Sequence, residues 1–133
     1  MAARRNCLSG NFYIGRKNVY KLTIMYPYQQ GKRFDMDYYC NVHMMDPNDV
    51  KCRGAQIEMG ICGMDEEVPP KYFCIAHSLY DTLKDLQTYF EANKKALFDD
   101  IPNFTDVQPE FQISVETMNL VLPNRKSERN FND

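Results

Sequence analysis

The order of hydrophobic patterns along this 133-residue chain constrains its fold more than any single residue does. Alternating and β-branched runs predict four strands, and apolar residues at helical spacing predict two helices. The predicted strands cover residues 19–26, 55–62, 72–80 and 111–116, and the predicted helices cover residues 35–46 and 82–101. The order is therefore strand, helix, strand, strand, helix, strand.

Capping residues and prolines place the ends of both helices. Asp35 is a favourable N-cap for the first helix, and Pro47 stops it because proline cannot continue a helix. Thr82, followed three residues later by Asp85, is an acidic variant of the capping box and opens the second helix. Pro102 ends that second helix.

This order of elements is the split βαβ motif, the ferredoxin-like α+β fold. It predicts a four-stranded antiparallel sheet with two helices on one face. A chain of 133 residues has volume for one such domain. We expect residues 19–118 to form it, with an N-terminal arm at residues 1–18 and a C-terminal tail at residues 119–133.

The sheet face opposite the helices has no cover within one copy of the chain. We assign Phe73, Ile75, His77 and Leu79 to the face beneath the helices, because side chains alternate along a strand. The open face then carries a mixed set: Thr23, Met25, Gln56, Glu58, Cys74, Ser78, Gln112 and Ser114. Exposed apolar patches are costly, and this mixture suits a wet interface, so we expect a homodimer through the sheet face.

Charge and cysteine content limit which binding partners and which cellular compartment we expect for this protein. The net charge of −2 gives no electrostatic footprint for nucleic acid. No apolar run approaches the ~20 residues that a membrane span requires, and no signal peptide is predicted. The five cysteines are odd in number and none form Cys-x-x-Cys, which indicates reduced thiols and a cytoplasmic protein.

Two sequence runs carry a resemblance to a known family. The first is Arg33-Phe34-Asp35-Met36-Asp37-Tyr38-Tyr39-Cys40-Asn41-Val42-His43-Met44, and the second is Asp99-Asp100-Ile101-Pro102-Asn103-Phe104-Thr105-Asp106. Together they resemble the EthD family, whose members are small dimeric α+β barrels. The resemblance runs from about Val19 to Val115. The chain departs from the family pattern after His43. Pro47 lies further from the motif histidine than the proline does in most members, and the connection to the next strand is shorter.

The resemblance implies a small-molecule cavity between the first helix and the sheet. His43 and His77 would both line it as acid–base groups, since imidazoles titrate near neutral pH. Tyr26 would polarise a carbonyl or phenolic oxygen, and the ligand pocket would include Tyr39, Ile75 and Phe104. The implied chemistry is cofactor-free proton transfer on a small aromatic or lactone-like molecule, in the isomerase, cyclase, decarboxylase or monooxygenase class.

Three other interpretations remain open from the sequence. The cavity would hold a ligand without catalysis in a binding or stress-response module. Either histidine would serve as an axial ligand in a haem protein, because related barrels hold haem beside the same sheet face. In the third interpretation, each histidine is an ordinary hydrogen-bonded core residue without a functional role. Cys40 and His43 lie three apart but lack further ligands, so no metal site is predicted.

Overall fold

The computed structural model describes residues 18–123. Its strands are β1 (Tyr20–Pro27), β2 (Cys52–Met59), β3 (Tyr72–Tyr80) and β4 (Glu110–Val115). The first helix consists of α1 (Met36–Tyr38) and a π-helical turn (Tyr39–His43), and the second helix is α2 (Leu83–Asp100), which ends in a 3₁₀ turn (Ile101–Asn103). No helix in this part of the chain is long and apolar enough to cross a membrane.

The four strands form one antiparallel sheet in the order β2-β3-β1-β4. Leu22 in β1 pairs with Ser78 on one side and with Ile113 on the other. Side chains from both helices pack over the sheet face that carries Leu22 and Tyr26. The ferredoxin-like α+β fold predicted from the sequence is therefore confirmed. The predicted arm, apart from residue 18, and the tail beyond residue 123 lie outside the described residues.

The assignment of side chains to the two faces of β3 was wrong for residues 74–80, whereas Phe73 packs against the core beside Phe34, as predicted. Cys74, Ala76, Ser78 and Tyr80 are buried beneath the helices, while Ile75, His77 and Leu79 lie on the open face and are half-buried. Both sets along this strand are largely apolar, so alternation alone could not choose between them. The small side chains of Cys74, Ala76 and Ser78 suit the helix side. The aromatic rings of Tyr26, Tyr39 and Phe104 fill the space above them.

The first helix is shorter and wound differently than predicted. Asp35 is its N-cap, as expected, and accepts a hydrogen bond from the Tyr38 amide at 3.0 Å. The chain then forms a π-helical turn, in which the Met44 amide donates to the Tyr39 carbonyl five residues back. This winding turns Tyr39 into the core and leaves Val42 52% exposed. The helix therefore ends at His43 rather than near residue 46.

The second helix follows the sequence prediction closely. The Thr82 hydroxyl caps it by accepting from the Asp85 amide at 3.0 Å. Leu86 and Ile101 are buried against the sheet, and Pro102 lies in the closing 3₁₀ turn. Strand β2, in contrast, begins three residues earlier than predicted and ends at Met59.

Gly60 and Gly54 provide a matched test of the packing at the end of β2. A Cβ atom at Gly60 would lie 2.0 Å from the Tyr72 carbonyl oxygen and 2.8 Å from Pro70 Cβ, whereas at Gly54 the nearest atom is 3.9 Å away. We expect Gly60→Ala to lower the free energy of unfolding by roughly 2 kcal/mol through overpacking. Gly54→Ala should be neutral or stabilising by up to ~1 kcal/mol. Urea unfolding of both variants measures the difference, and equal stabilities would contradict this packing.

Candidate functional site

The two sequence runs that carry the family resemblance pack directly against each other. Phe34 and Thr105 form an isolated antiparallel bridge, and the Asp35 amide donates to the Phe104 carbonyl at 2.8 Å. The Thr105 hydroxyl donates to the Arg33 carbonyl at 2.7 Å. These contacts hold the start of the first helix against the segment that follows the second.

The Asp100 carboxylate lies at the centre of this junction. Its Oδ1 accepts hydrogen bonds from the Tyr38 hydroxyl at 2.7 Å and from the Asn103 amide nitrogen at 2.9 Å. Its Oδ2 lies 2.8 Å from Nδ1 of His43. Burial acts to raise the pKa of Asp100, but the hydrogen bonds from Tyr38, Asn103 and His43 outweigh it and lower that pKa. Asp100 is therefore an ionised acceptor at neutral pH.

His43 is oriented by Asp100 and held between two aromatic rings. Its side chain is only 7% exposed. The imidazole stacks on Tyr39 with ring centroids 5.3 Å apart, and the Phe104 ring lies 4.6 Å away. Because Asp100 can only accept, Nδ1 of His43 carries the proton that is donated to it. In the neutral ring, Nε2 is then the acceptor, and no described residue forms a hydrogen bond with it.

A cavity of about 60 Å³ lies between the first helix, α2 and the sheet, and His43 forms part of its wall. Tyr26 and Tyr39 also line it, and both are buried. Burial raises the pKa of each phenol, so both stay protonated at neutral pH. The structure therefore brings together Tyr26, Tyr39 and His43, three of the residues that the family resemblance assigned to the site.

Two carboxylates that sequence reasoning missed line another part of the same cavity. Asp46 and Asp49 come from the connection between the first helix and β2. The Tyr89 hydroxyl donates to Asp46, and the Tyr80 hydroxyl donates to Asp49 at 2.6 Å. Burial raises the pKa of Asp49. No local pattern marks these pairs, because each joins residues more than thirty positions apart.

Asp100 was also missed, although one local signal was present. Acidic residues are unfavourable at the C-terminal end of a helix, where the helix dipole is negative. Asp99 and Asp100 nevertheless end α2. An acid retained against the dipole indicates a compensating partner, which in this chain is the set of three donors around Asp100.

The prediction that His77 and Ile75 share this cavity was wrong. His77 lies on the open sheet face, where a 2.9 Å hydrogen bond joins its Nδ1 to the Thr23 hydroxyl. Its Nε2 is 3.9 Å from Oε2 of Glu58. Thr23 alternates with Leu22 and Ile24, which face the helices, so the two imidazoles lie on opposite sides of the sheet. Phe104, the other predicted pocket residue, is fully buried behind His43.

The residues present do not fit a haem. The cavity beside His43 holds about 60 Å³, which is far less than a macrocycle occupies, and Nδ1 of His43 is committed to Asp100. His77 lies on the opposite sheet face and does not line this cavity. Among residues 18–123, no group of three or more His, Cys, Asp or Glu side chains is arranged to hold a metal ion.

The lowered pKa of Asp100 makes a prediction for acid unfolding. A carboxylate with a folded-state pKa below its ordinary 3.8 stabilises the protein fully above that value. Its contribution is lost as the pH falls through 3.8 towards the lower folded-state pKa. We expect the free energy of unfolding to fall less steeply with acid in Asp100→Asn than in the wild type. Urea unfolding between about pH 5 and about pH 2 measures this slope.

Asp37→Asn is the matched control, because Asp37 is exposed on the same junction. Its acid slope should equal that of the wild type. Parallel slopes for Asp100→Asn and the wild type would show that the three donors do not favour the ionised carboxylate.

Comparison with known proteins agrees with the fold. No family model and no curated protein matches the chain. Among solved structures, the chain is similar to an ethyl tert-butyl ether D (EthD) family protein from Bacillus halodurans C-125, with 15% identity and a TM-score of 0.47 over 69% of this chain and 96% of that one. It is also similar to an EthD-like protein from Ralstonia eutropha JMP134, with 30% identity and a TM-score of 0.66 over 74% of this chain and 91% of that one. The identity to the Ralstonia protein, over nearly all of that protein's length, shows that the chain belongs to the EthD-like family.

Proposed function

We propose that this protein is a cofactor-free enzyme that binds a small aromatic or lactone-like molecule beneath its first helix and moves a proton with His43. The observation that carries the proposal is the pairing of His43 with the ionised Asp100 in the wall of a cavity. A histidine held by a carboxylate presents its second nitrogen as a base, and this arrangement is typical of general acid–base sites.

The geometry supports proton abstraction beside a carbonyl group. Nε2 of His43 would take the proton, and Asp100 would stabilise the imidazolium that forms. Asp100 is thus a positioning residue, since it acts through His43. The protonated phenols of Tyr26 and Tyr39 would donate to the developing oxyanion, as preorganised donors do in enolate-forming sites. Isomerisation and cyclisation begin with this step, and oxygenation of an electron-rich ring begins with removal of a proton from its phenol. Decarboxylation begins instead with loss of carbon dioxide, so this geometry favours it least.

The space around the cavity supports a ligand with a polar end and an apolar ring. The cavity of about 60 Å³ has room for a polar group and shares Phe90, Phe98 and Phe111 with an adjoining open groove of about 580 Å³. The groove lies between α2 and β4, and its wall is mostly apolar. We expect a ring to lie in the groove while its carbonyl or hydroxyl group enters the cavity.

The same proposal includes a homodimer formed through the open sheet face. Met25, Ile75 and Leu79 are half-buried on that face, beside the hydrogen-bonded pair of Thr23 and His77. A second copy would cover these apolar side chains and keep the polar pair hydrated at the interface. The four described cysteines, Cys40, Cys52, Cys62 and Cys74, are free thiols, which supports placing the dimer in the cytoplasm.

A charge placed on the open face should separate the dimer without unfolding the monomer. Ile75→Lys introduces an ammonium group opposite Glu58, its partner across the β2–β3 pair. The monomer tolerates the pair of lysine and Glu58 on its open face. Burying the two charges in a dimer interface would cost more desolvation free energy than their attraction recovers. Light scattering at micromolar concentration should show a dimer for the wild type and a monomer for Ile75→Lys. Val50→Lys, at a loop residue 80% exposed, should stay dimeric. A monomeric wild type would contradict the proposal.

Proton abstraction can be tested without knowing the natural substrate. The probe is 2-tetralone, an aromatic ketone whose α-protons exchange with heavy water and can be followed by NMR. The wild type should accelerate this exchange, and His43→Gln should lose roughly 10²–10⁴-fold of the acceleration. His77→Gln is the matched control and should exchange as the wild type does. Equal rates in the wild type and His43→Gln would remove His43 from this role. Binding of the ketone without exchange would instead support the ligand-binding module.

A further inference from the structure

Two buried polar atoms on the cavity wall lack hydrogen-bond partners. Within residues 18–123, the buried side-chain oxygen or nitrogen atoms without a hydrogen bond of normal geometry are the Tyr39 hydroxyl and Oδ1 of Asp49. The Tyr26 hydroxyl lies near enough to that of Tyr39 to raise its pKa, but the two do not form a well-aligned hydrogen bond. Both residues line the same cavity, and Tyr39 is completely buried. Buried polar groups in folded proteins are nearly always paired, so each exception calls for a specific partner. Their shared position indicates that the partner is something bound in the cavity.

Asp49 differs from its neighbour Asp46 in having a vacant acceptor. Oδ2 of Asp49 accepts from the Tyr80 hydroxyl, while Oδ1 has no hydrogen bond of normal geometry; the Cys52 amide lies near enough to the carboxylate to favour its ionised form. In Asp46, one oxygen accepts from the Asn48 amide at 2.9 Å and the other from the Tyr89 hydroxyl. Asp49 is therefore the one of the two aspartates that has an oxygen left for a ligand.

The charge of the cavity wall further limits which ligands can bind there. Two carboxylates line the cavity, and no lysine or arginine does so among the described residues. His43 has already committed one N–H group to Asp100. An anionic ligand group near Asp49 would meet repulsion without a compensating cation. A neutral hydroxyl or a protonated amine would meet an acceptor.

We infer, on the basis of the proposed function, that Asp49 is a specificity residue that accepts a hydrogen bond from an O–H or N–H group on a small aromatic ligand. The Tyr39 hydroxyl contacts a second polar atom of the same ligand. The substrate class is thus a hydroxylated or amino-bearing aromatic molecule, and aromatic carboxylates are excluded. The two orphaned oxygens have almost no exposed surface, so a wall side chain must turn aside as the ligand enters. Met44, which lines the cavity, is flexible enough to do this.

The test compares probes that differ in one donor. Phenol and toluene have nearly the same shape, benzylamine supplies a cationic donor, and benzoate supplies an anion. Binding to the full chain is measured by ligand-observed NMR titration. We expect phenol to bind the wild type about tenfold more tightly than toluene, since a ligand donor relieves an unsatisfied buried acceptor. Benzylamine should bind at least as well as phenol, and benzoate should bind least.

Paired substitutions assign the preference to Asp49. Asp49→Leu combined with Tyr80→Phe removes both members of one hydrogen bond, which folded proteins tolerate better than removal of one member. This double variant should bind phenol and toluene equally. Asp46→Leu combined with Tyr89→Phe is the matched control, because Asp46 has no vacant oxygen, and it should keep the tenfold preference. If the first double variant does not fold, Asp49→Asn keeps a carbonyl acceptor for Tyr80 and should weaken benzylamine binding about tenfold by removing the charge.

Each outcome bears on a different proposal. Equal binding of phenol and toluene to the wild type would overturn the role of Asp49 while leaving the cavity as a ligand site. An ordered water on Oδ1 of Asp49 that phenol does not displace would overturn it in the same way. Failure of all four probes to bind would overturn the ligand cavity itself, and with it the proposed function.

Discussion

The Asp100 carboxylate is the interaction on which the rest of the site depends. It joins the end of the second helix to the first helix through Tyr38 and His43, residues 62 and 57 positions away in the chain. A three-residue α-helical segment with one π-helical turn is too short to be stable alone. Its position over the sheet is therefore fixed by what it contacts. Asp100 supplies charged hydrogen bonds, and Phe104 supplies the apolar surface on which the His43 ring rests.

The π-helical turn explains how so short a helix can present several functional groups. A regular α-helix over the predicted residues 35–46 would have placed Tyr38, Val42 and Met45 on one face, directed at the sheet. The wider turn instead places the rings of Tyr39 and His43 in a stack, with 20° between their planes, and directs them inwards. Such turns are uncommon and are found frequently at functional sites. The altered winding also releases the chain early, so that the following connection carries Asp46 and Asp49 to the cavity.

The sequence predicted local structure well and long-range pairing poorly, for physical reasons. The Asp35 and Thr82 caps and Pro102 each act through neighbours within a few residues, and all behave as expected. The face of β3 could not be read from alternation, because both sets of its side chains are largely apolar. That error moved His77 to the wrong face. The family resemblance predicted His43, Tyr26 and Tyr39 as site residues, and the structure places all three around one cavity. Partners such as Asp100 and Tyr80 are distant in sequence and leave no periodic trace.

The polar groups around the cavity lower the stability of the fold, and this loss of stability indicates that the cavity has a function. A protein selected for stability alone would fill the space between Tyr26, Tyr39 and Asp49 with apolar side chains, because unsatisfied buried oxygens destabilise by ~1–3 kcal/mol each. This chain instead places four phenols, a histidine and two aspartates around one cavity. Elsewhere in the described core, buried polar groups such as Thr105 have partners, here the Arg33 carbonyl. The unsatisfied groups are confined to the cavity, and proteins tolerate such local destabilisation chiefly where function requires it.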